Sequence, residues 1–414
     1  ASDVYKRQGY KSFDYYSAGV NVLIDKFLPR RDWLNQLKWR GSWSVVGNPI
    51  PNTLFARQSY DFSNGTISTR PPLFDDPQPE TTTSFETGLD VWMFENKFNF
   101  DLTYYNSTLR NQFLYVTTAN GESKPVNTGK IRNYGLEFQA SYRWNINKDW
   151  RWQTGFNIAW NDNRILETYK TESGAPYEVQ MGPNAFKIKY VEGGRYGDIY
   201  VNSFARDENG HIKINDAGNY ENAVPVMASG KYETKVGNMT SPVTLGWNNT
   251  FTWKNFTLYF LIDGRIGGKV MSLTEADLDL YGLSERSAQD RLNGERVMQN
   301  GKEYILKPLP DGSGNKVSVE NYYTTIGALP MEDHVYNATS LRMRDISLSY
   351  DMPNLFGKNQ GMTAQFSVKN AFFIYKDSPV DPDISVSAAN GYSGIDCYSL
   401  PTTRSFALTL KFNF

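Results

Sequence analysis

The sequence predicts an all-β fold: a membrane-spanning wall of antiparallel strands with long loops along one rim. Three observations carry this. Apolar and polar residues alternate strictly over stretches of about ten residues, so each stretch reads as a strand with one greasy and one polar face. The stretches are joined alternately by tight turns and by long polar segments, the connection pattern of membrane β-barrels. Finally, no stretch approaches the roughly 18 consecutive apolar residues of a membrane helix, although the 414 residues include 10 Trp, 27 Tyr and 24 Phe.

About eleven strands follow from this alternation, near residues 10–25, 36–46, 84–94, 98–108, 133–144, 151–162, 242–253, 256–267, 340–350, 362–373 and 403–414. In the third, Phe85, Leu89, Val91 and Met93 share one face and Glu86, Gly88 and Asp90 the other. The fourth sets Phe98, Phe100, Leu102 and Tyr104 against Asn99, Asp101 and Thr103. The fifth sets Tyr134, Leu136, Phe138, Tyr142 and Trp144 against Glu137, Gln139, Ser141 and Arg143. The sixth alternates Trp152, Phe156, Ile158 and Trp160 with Gln153 and Asn157. Near 340–350 the phase flips between Leu341/Met343 and Ile346/Leu348/Tyr350, which predicts a β-bulge near Asp345. The last strand, FALTLKFNF, directs Phe406, Leu408, Leu410 and Phe412 to lipid, with Ala407, Thr409 and Lys411 facing a polar lumen.

"FENK", "NINKD" and "WKN" are the tight turns; 47–83, 109–132, 163–241, 268–339 and 374–402 are the long segments. A soluble sandwich carries turn signals every 8–12 residues or so instead. Within the long segments, RDENGHIKIND reads as a small hairpin turning at Asn209-Gly210. LTEADLDLYGLSERSAQDRLNGE reads as two helices broken at Gly282, with Ser284 capping the second.

A formal charge of −1 gives no support for nucleic-acid binding. The lone Cys397 allows no internal disulfide, and two histidines make a His-rich metal site improbable. No cofactor motif stands out. GRIGGKV (Gly264 to Val270) is one residue short of a phosphate-binding loop, with Val270 where Ser or Thr is required. DENGH and Asp381-Pro382-Asp383 offer oxygen ligands without EF-hand spacing; the plainer readings are a hairpin turn and a rigid loop. Glu86, Asp90, Asp101 and Glu137 could pair as glycosidase-like carboxylates, but such residues more often solvate a polar lumen. Enzymatic activity is therefore not expected. The candidates for ligand or partner contact are loop aromatics: Tyr190, Tyr196, Tyr200, Tyr220, Tyr322, Tyr323, Phe373, Tyr375 and Tyr392. Rings of this kind stack on sugars and peptides. They also serve as membrane-surface girdles or loop packing.

Several stretches resemble a known family. PQPETTTSFETGLDVWMFENKFNFDLTYYNSTLRNQ (Pro77 to Gln112) is similar to the Pro-Glu-Thr-rich stretch of TonB-dependent outer-membrane receptors, in the form of the SusC/RagA branch of Bacteroidetes. SLRMRDISLSYDMP, VKNAFFIYKDSPVDPDIS and LPTTRSFALTLKFNF resemble the last three strands of that branch, with GDIYVNSFARDENGHI and NMTSPVTLGWNNTFTWKNFTLYFLID fitting between. The resemblance implies a barrel of about 22 strands, of which residues 9–414 supply the C-terminal half. It also implies an N-terminal plug and a TonB-contacting segment, neither matched here. Residues 1–8, ASDVYKRQ, read as an artefact or non-native leader without the hydrophobic region of a signal peptide. Family membership further implies the outer membrane and its lipid, a SusD-like surface lipoprotein, import of oligosaccharide or peptide driven through TonB, and a terminal Phe414 read by the barrel-assembly machinery. A siderophore or vitamin receptor of the wider group is the alternative, and a soluble all-β lectin or adhesin a third.

Overall fold

The computed structural model describes residues 15–48, 58–61, 65–69, 78–117, 123–171, 174–181, 186–228, 232, 234–328, 332–358, 360–386 and 394–413. Eleven strands form one antiparallel sheet in chain order: β1 (Tyr16–Leu23), β2 (Leu34–Asn48), β3 (Glu80–Met93), β4 (Phe98–Arg110), β5 (Lys130–Asn145), β6 (Trp150–Glu167), β7 (Val243–Trp253), β8 (Phe256–Ile266), β9 (Ser340–Gly357), β10 (Gln360–Lys376) and β11 (Ser405–Asn413). The sheet is open, with β1 and β11 at its edges. Residues 10–14 of the first expected strand lie outside the described residues.

Register explains why alternation specifies this sheet. Directly paired residues carry one apolar row across seven strands: Leu408, Phe366, Leu348, Leu258, Phe251, Trp152 and Trp144. The adjacent row, one residue along, is Thr409, Gln365, Ser349, Thr257, Thr252, Arg151 and Asn145. A slip of one residue in any strand would put polar side chains into the apolar row, so the pattern fixes the register. Cross-strand rings reinforce it: Trp152 stacks on Phe251 at 5.8 Å and Phe366 on Phe406 at 6.4 Å.

The bulge falls where the phase flip requires. Met343 and Asp345 face successive residues, Ile262 and Leu261, so Arg344 is the extra residue. Against β10 the irregularity falls at the same place but the extra residue is on β10: Arg344 stands opposite Asn370 and Ala371, and Asn370 adopts a left-handed φ of +51°. Several strands run beyond their alternating cores. β6 continues to Glu167 against β5 back to Lys130, through residues such as Asn161, Asp162 and Asn163 that keep the backbone ladder without an apolar face. The short turns sit at one rim. In one, Asn147 Oδ1 accepts from the amides of Asp149 and Trp150 at 2.9 and 3.0 Å.

At the opposite rim the described parts of the long connections are folded. They hold α1 (Leu273–Leu280), α2 (Glu285–Asn293), α3 (Val319–Ala328) and several small sheets. Gly282 takes φ +65° at the break between α1 and α2, and Ser284 Oγ accepts from the Ser287 amide as the N-cap. The hairpin at Asp207–His211 closes with Gly210 at φ +84° and Asp207 Oδ1 accepting two amides. One apolar core of this module gathers Phe186, Ile188, Ile199, Met271 and Ile395; a second gathers Phe204, Val317, Tyr322 and Ile326. No helix among the described residues is long and apolar enough to cross a membrane.

Candidate functional site: the lumen wall and the outer-loop module

The polar face is a ladder of bridged side chains. On β2, Lys38 pairs with Asp90 of β3 at 2.7 Å, and Asp90 also accepts from Gln36 and Trp92. Arg40 reaches past β3 to Asp101 of β4, with Nη2 donating to Oδ1 at 2.8 Å and to Thr103 as well. It can do so because its register partner on β3 is Gly88. A Cβ there would lie 3.0 Å from the guanidinium and 2.9 Å from the Leu102 carbonyl oxygen. The device repeats on the next strands, where Tyr105 of β4 lies over Gly135 of β5 and meets Asn161 of β6. Toward the inner rim, Asn99, Gln139, Gln153, Asn157 and Asn248 line a shallow hollow of about 430 Å³. Several charges are paired across strands and much of the remainder is carboxamide, a surface suited to water and to polar solutes.

At the outer rim, the Asp381-Pro382-Asp383 segment enters the same face. Asp383 accepts from Arg265 and Arg344, and Asp381 from Arg342 and Thr402. Burial raises the pKa of the Asp381 carboxyl, but the hydrogen bonds from Thr402, the Asp383 amide and Arg342 outweigh it and hold the group below the usual carboxylate range.

In the outer module, Asp279 is fully buried and is engaged by Arg286, by Ser284 and by His334 Nε2 at 2.9 Å. These contacts tie α1 to α2 and to the segment after α3. A buried carboxylate requires such a set of partners.

Of the loop aromatics, Tyr190 is buried and stacks on Tyr196 at 4.7 Å. Tyr322 and Tyr323 are buried, donating to Asp333 and Asp290 at 2.7 Å each. Burial, together with those carboxylates, pushes both phenols well above the ordinary tyrosine value. Lys307 Nζ sits 3.9 Å from the Tyr322 ring centroid. Tyr200 packs under Lys189, and Tyr220 near Tyr304. Phe373 lies under the Arg342 guanidinium at 4.0 Å. Tyr375 is half-exposed on the apolar side, paired with Leu341. Thus the structure brings Tyr190 with Tyr196 and Tyr322 with Tyr323, and leaves Tyr375 apart; Tyr392 and Phe414 lie outside the described residues. Phe406, Leu408, Leu410 and Phe412 all project from β11 with substantial exposure. Among the carboxylates, Asp90 and Asp101 are held by cations, while Glu86 and Glu137 are exposed. Alternation alone gives no hint of Arg40 or of the three arginines around Asp383. A glycine facing a long cation on the polar face is the signal that could have found the first.

The family model described as "TonB dependent receptor-like, beta-barrel" matches residues 2–263, well over half of the chain. The chain belongs to the family of TonB-dependent receptors. TonB-dependent receptor P3 of Formosa agariphila is 23% identical over 100% of this chain and 43% of the relative. TonB-dependent receptor SusC of Bacteroides thetaiotaomicron is 24% identical over 99% of this chain and 40% of the relative. Among solved structures, the RagAB peptide transporter superposes with a TM-score of 0.70 at 18% identity, covering 97% of this chain and 43% of the other. The chain spans about two fifths of the length of each of these proteins. The receptor sheet continues past the region matched by the family model, through β9, β10 and β11.

Proposed function

We propose that this chain forms the C-terminal wall of an outer-membrane, TonB-dependent importer of oligosaccharide or peptide that works with a SusD-like surface lipoprotein. One observation carries the reading: eleven paired strands with an apolar row on one face and an ion-paired, carboxamide-rich row on the other, crowned by a folded loop module at a single rim. The first face suits lipid and the second a water-filled lumen. Kinship with SusC and with the RagAB peptide transporter supports the substrate class and the lipoprotein partner. TonB and the proton gradient supply the force in this reading, through parts of the receptor preceding this sheet. The loop tyrosines contribute ligand or partner contacts from the outer rim, and Phe414 serves barrel assembly.

The test uses the full-length receptor in its native cell. Fractionation is expected to place it in the outer membrane, and an affinity tag to retain a SusD-like lipoprotein. Deleting the gene is expected to abolish growth on one oligosaccharide or peptide source. Recovery in the soluble fraction, or unchanged growth on every such source, would overturn the reading.

A further inference from the structure

After β10 the chain does not pass straight into β11. Residues 378–384 fold back over the polar face of β9 and β8. There three guanidinium groups from two strands grip one turn. Arg342 Nη2 donates to Asp381 at 2.5 Å, and Arg344 Nη2 to Asp383 at 2.7 Å. Arg265 donates to Asp383 and, through Nη1, to the Pro382 carbonyl at 3.2 Å. Arg344 Nε also donates to Asp263 at 2.7 Å. Farther along, the same connection has a second anchor of opposite character. Ile395 and Asp396 pair in parallel with Met271 and Ser272, and Ile395 and Met271 are buried in the first apolar core of the outer module.

The two anchors differ in how readily they let go. The module end is dry: Ile395 and Met271 are apolar, and Ser272 Oγ donates to Asp396 at 2.7 Å in a fully buried contact. The wall end is ionic: the Arg342–Asp381 pair is buried, at 4% and 5% exposed, and Arg265 and Arg344 at its margin are 35% and 31% exposed. Ion pairs add little net stability where both partners regain water on separating, and for a buried pair the desolvation cost offsets most of the attraction. A permanent join is made as well or better by apolar packing. The wall end is also imperfectly satisfied. Arg342 Nε and Asp345 Oδ1 are buried without hydrogen-bond partners among the described residues, on either side of the bulge at Arg344. A buried polar group left unpaired costs stability. Beneath the turn is a cavity of about 170 Å³ lined by Thr244, Gly264, Arg265 and Arg344.

We infer that residues 377–386 form a releasable strap: its ionic end lets go of the lumen wall while its apolar end stays with the outer module, which opens the mouth of the lumen. This rests on the importer reading for its purpose, but not for its test. The strap needs no substrate to be observed.

Two measurements on the full-length receptor in detergent decide it. In hydrogen exchange, raising NaCl should speed exchange in peptides covering 377–386 and leave 269–273 and 394–396 protected; Asp383→Asn should reproduce this at low salt. Second, in a Cys397→Ser background, a bulky maleimide should label Thr244→Cys about tenfold faster when Asp383→Asn is added, the scale of losing a charge-assisted hydrogen bond. Salt-insensitive exchange at 377–386, exchange rising equally at both anchors, or unchanged labelling would overturn the strap. Failure of uptake with these two results intact would count against the importer and leave the strap standing.

Discussion

Replacing Leu408 by arginine in the full-length receptor tests the lipid face at one residue. Leu408 is 72% exposed and pairs with Phe366 in the apolar row. From Leu408 to the inner end of β11 at Asn413 is five steps along the strand. At about 3.4 Å per step and a tilt of about 40°, that is ~13 Å along the membrane normal. The apolar band is about 25 Å tall, so Leu408 sits near its midplane. An arginine there costs ~2–4 kcal/mol, or roughly 30- to 1,000-fold in the folding equilibrium. Thr409 pairs with Gln365 on the polar face, where water solvates a new arginine, and should lose less than ~0.5 kcal/mol. Phe412, one step from the rim, should fall between, near ~1 kcal/mol. Urea titrations of the three variants in phosphatidylcholine vesicles, followed by tryptophan fluorescence, read the differences directly. Equal losses at Leu408 and Thr409 would refute the assignment of faces, and a flat response from Leu408 to Phe412 would refute the depth.

The remaining expectations are more local. Gly88→Val should destabilise by ~1–3 kcal/mol through overpacking and should be less than additive with Arg40→Ala, because both break the Arg40–Asp101 bridge; strict additivity in a double-mutant cycle would sink that account. Asn249 is 1% exposed on the apolar side and accepts from Trp152 Nε1 at 3.1 Å, so Trp152→Phe should cost ~1 kcal/mol, and adding Asn249→Leu should recover most of it. Asp279→Ala strips the buried partner from Arg286 and His334 and should loosen the outer module by about 3 kcal/mol, seen as faster proteolysis at residues 273–334 with the sheet unaffected. Deleting Phe414 should lower the amount of inserted receptor more than transport per inserted molecule, as quantitative blotting of outer membranes beside an uptake assay will tell; the reverse would assign Phe414 to transport.

How much of this was legible in the sequence follows from what each part of the molecule must satisfy. The sheet was readable because lipid and lumen impose opposite demands on successive side chains, a constraint of period two repeated over eleven strands. Even the bulge at Arg344 announced itself, since an inserted residue must flip the phase between Met343 and Ile346. Strand ends were less readable: between Asn161–Glu167 and Lys130–Asn133 the side-chain contacts are few, the buried Ile165–Ile131 pair and the Lys130–Glu167 ion pair, too few to make an alternating pattern. The helix break at Gly282 and the cap at Ser284 were visible because they are local. The folded state of the outer module was not, because its cores join residues far apart, such as Phe186, Met271 and Ile395.

The candidate site divides along the same line. Tyr322 and Tyr323 are alike in sequence to any exposed loop aromatics; only the arrival of Phe204, Ile212 and Leu309 from other segments, with Asp333, Asp290 and Lys307 at their hydroxyls and rings, buries them. The aspartates of Asp381-Pro382-Asp383 could be seen as oxygen donors, but their partners could not. Arg265, Arg342 and Arg344 lie on two strands separated by the whole α1–α3 connection. What converts those charges into a clamp is the antiparallel register that sets Arg265 opposite Ser340 and Asp263 opposite Arg342. The architecture at this rim therefore depends on the sheet twice: once as the wall of a lumen, and once as the frame that gathers isolated charges into a grip on the last loop.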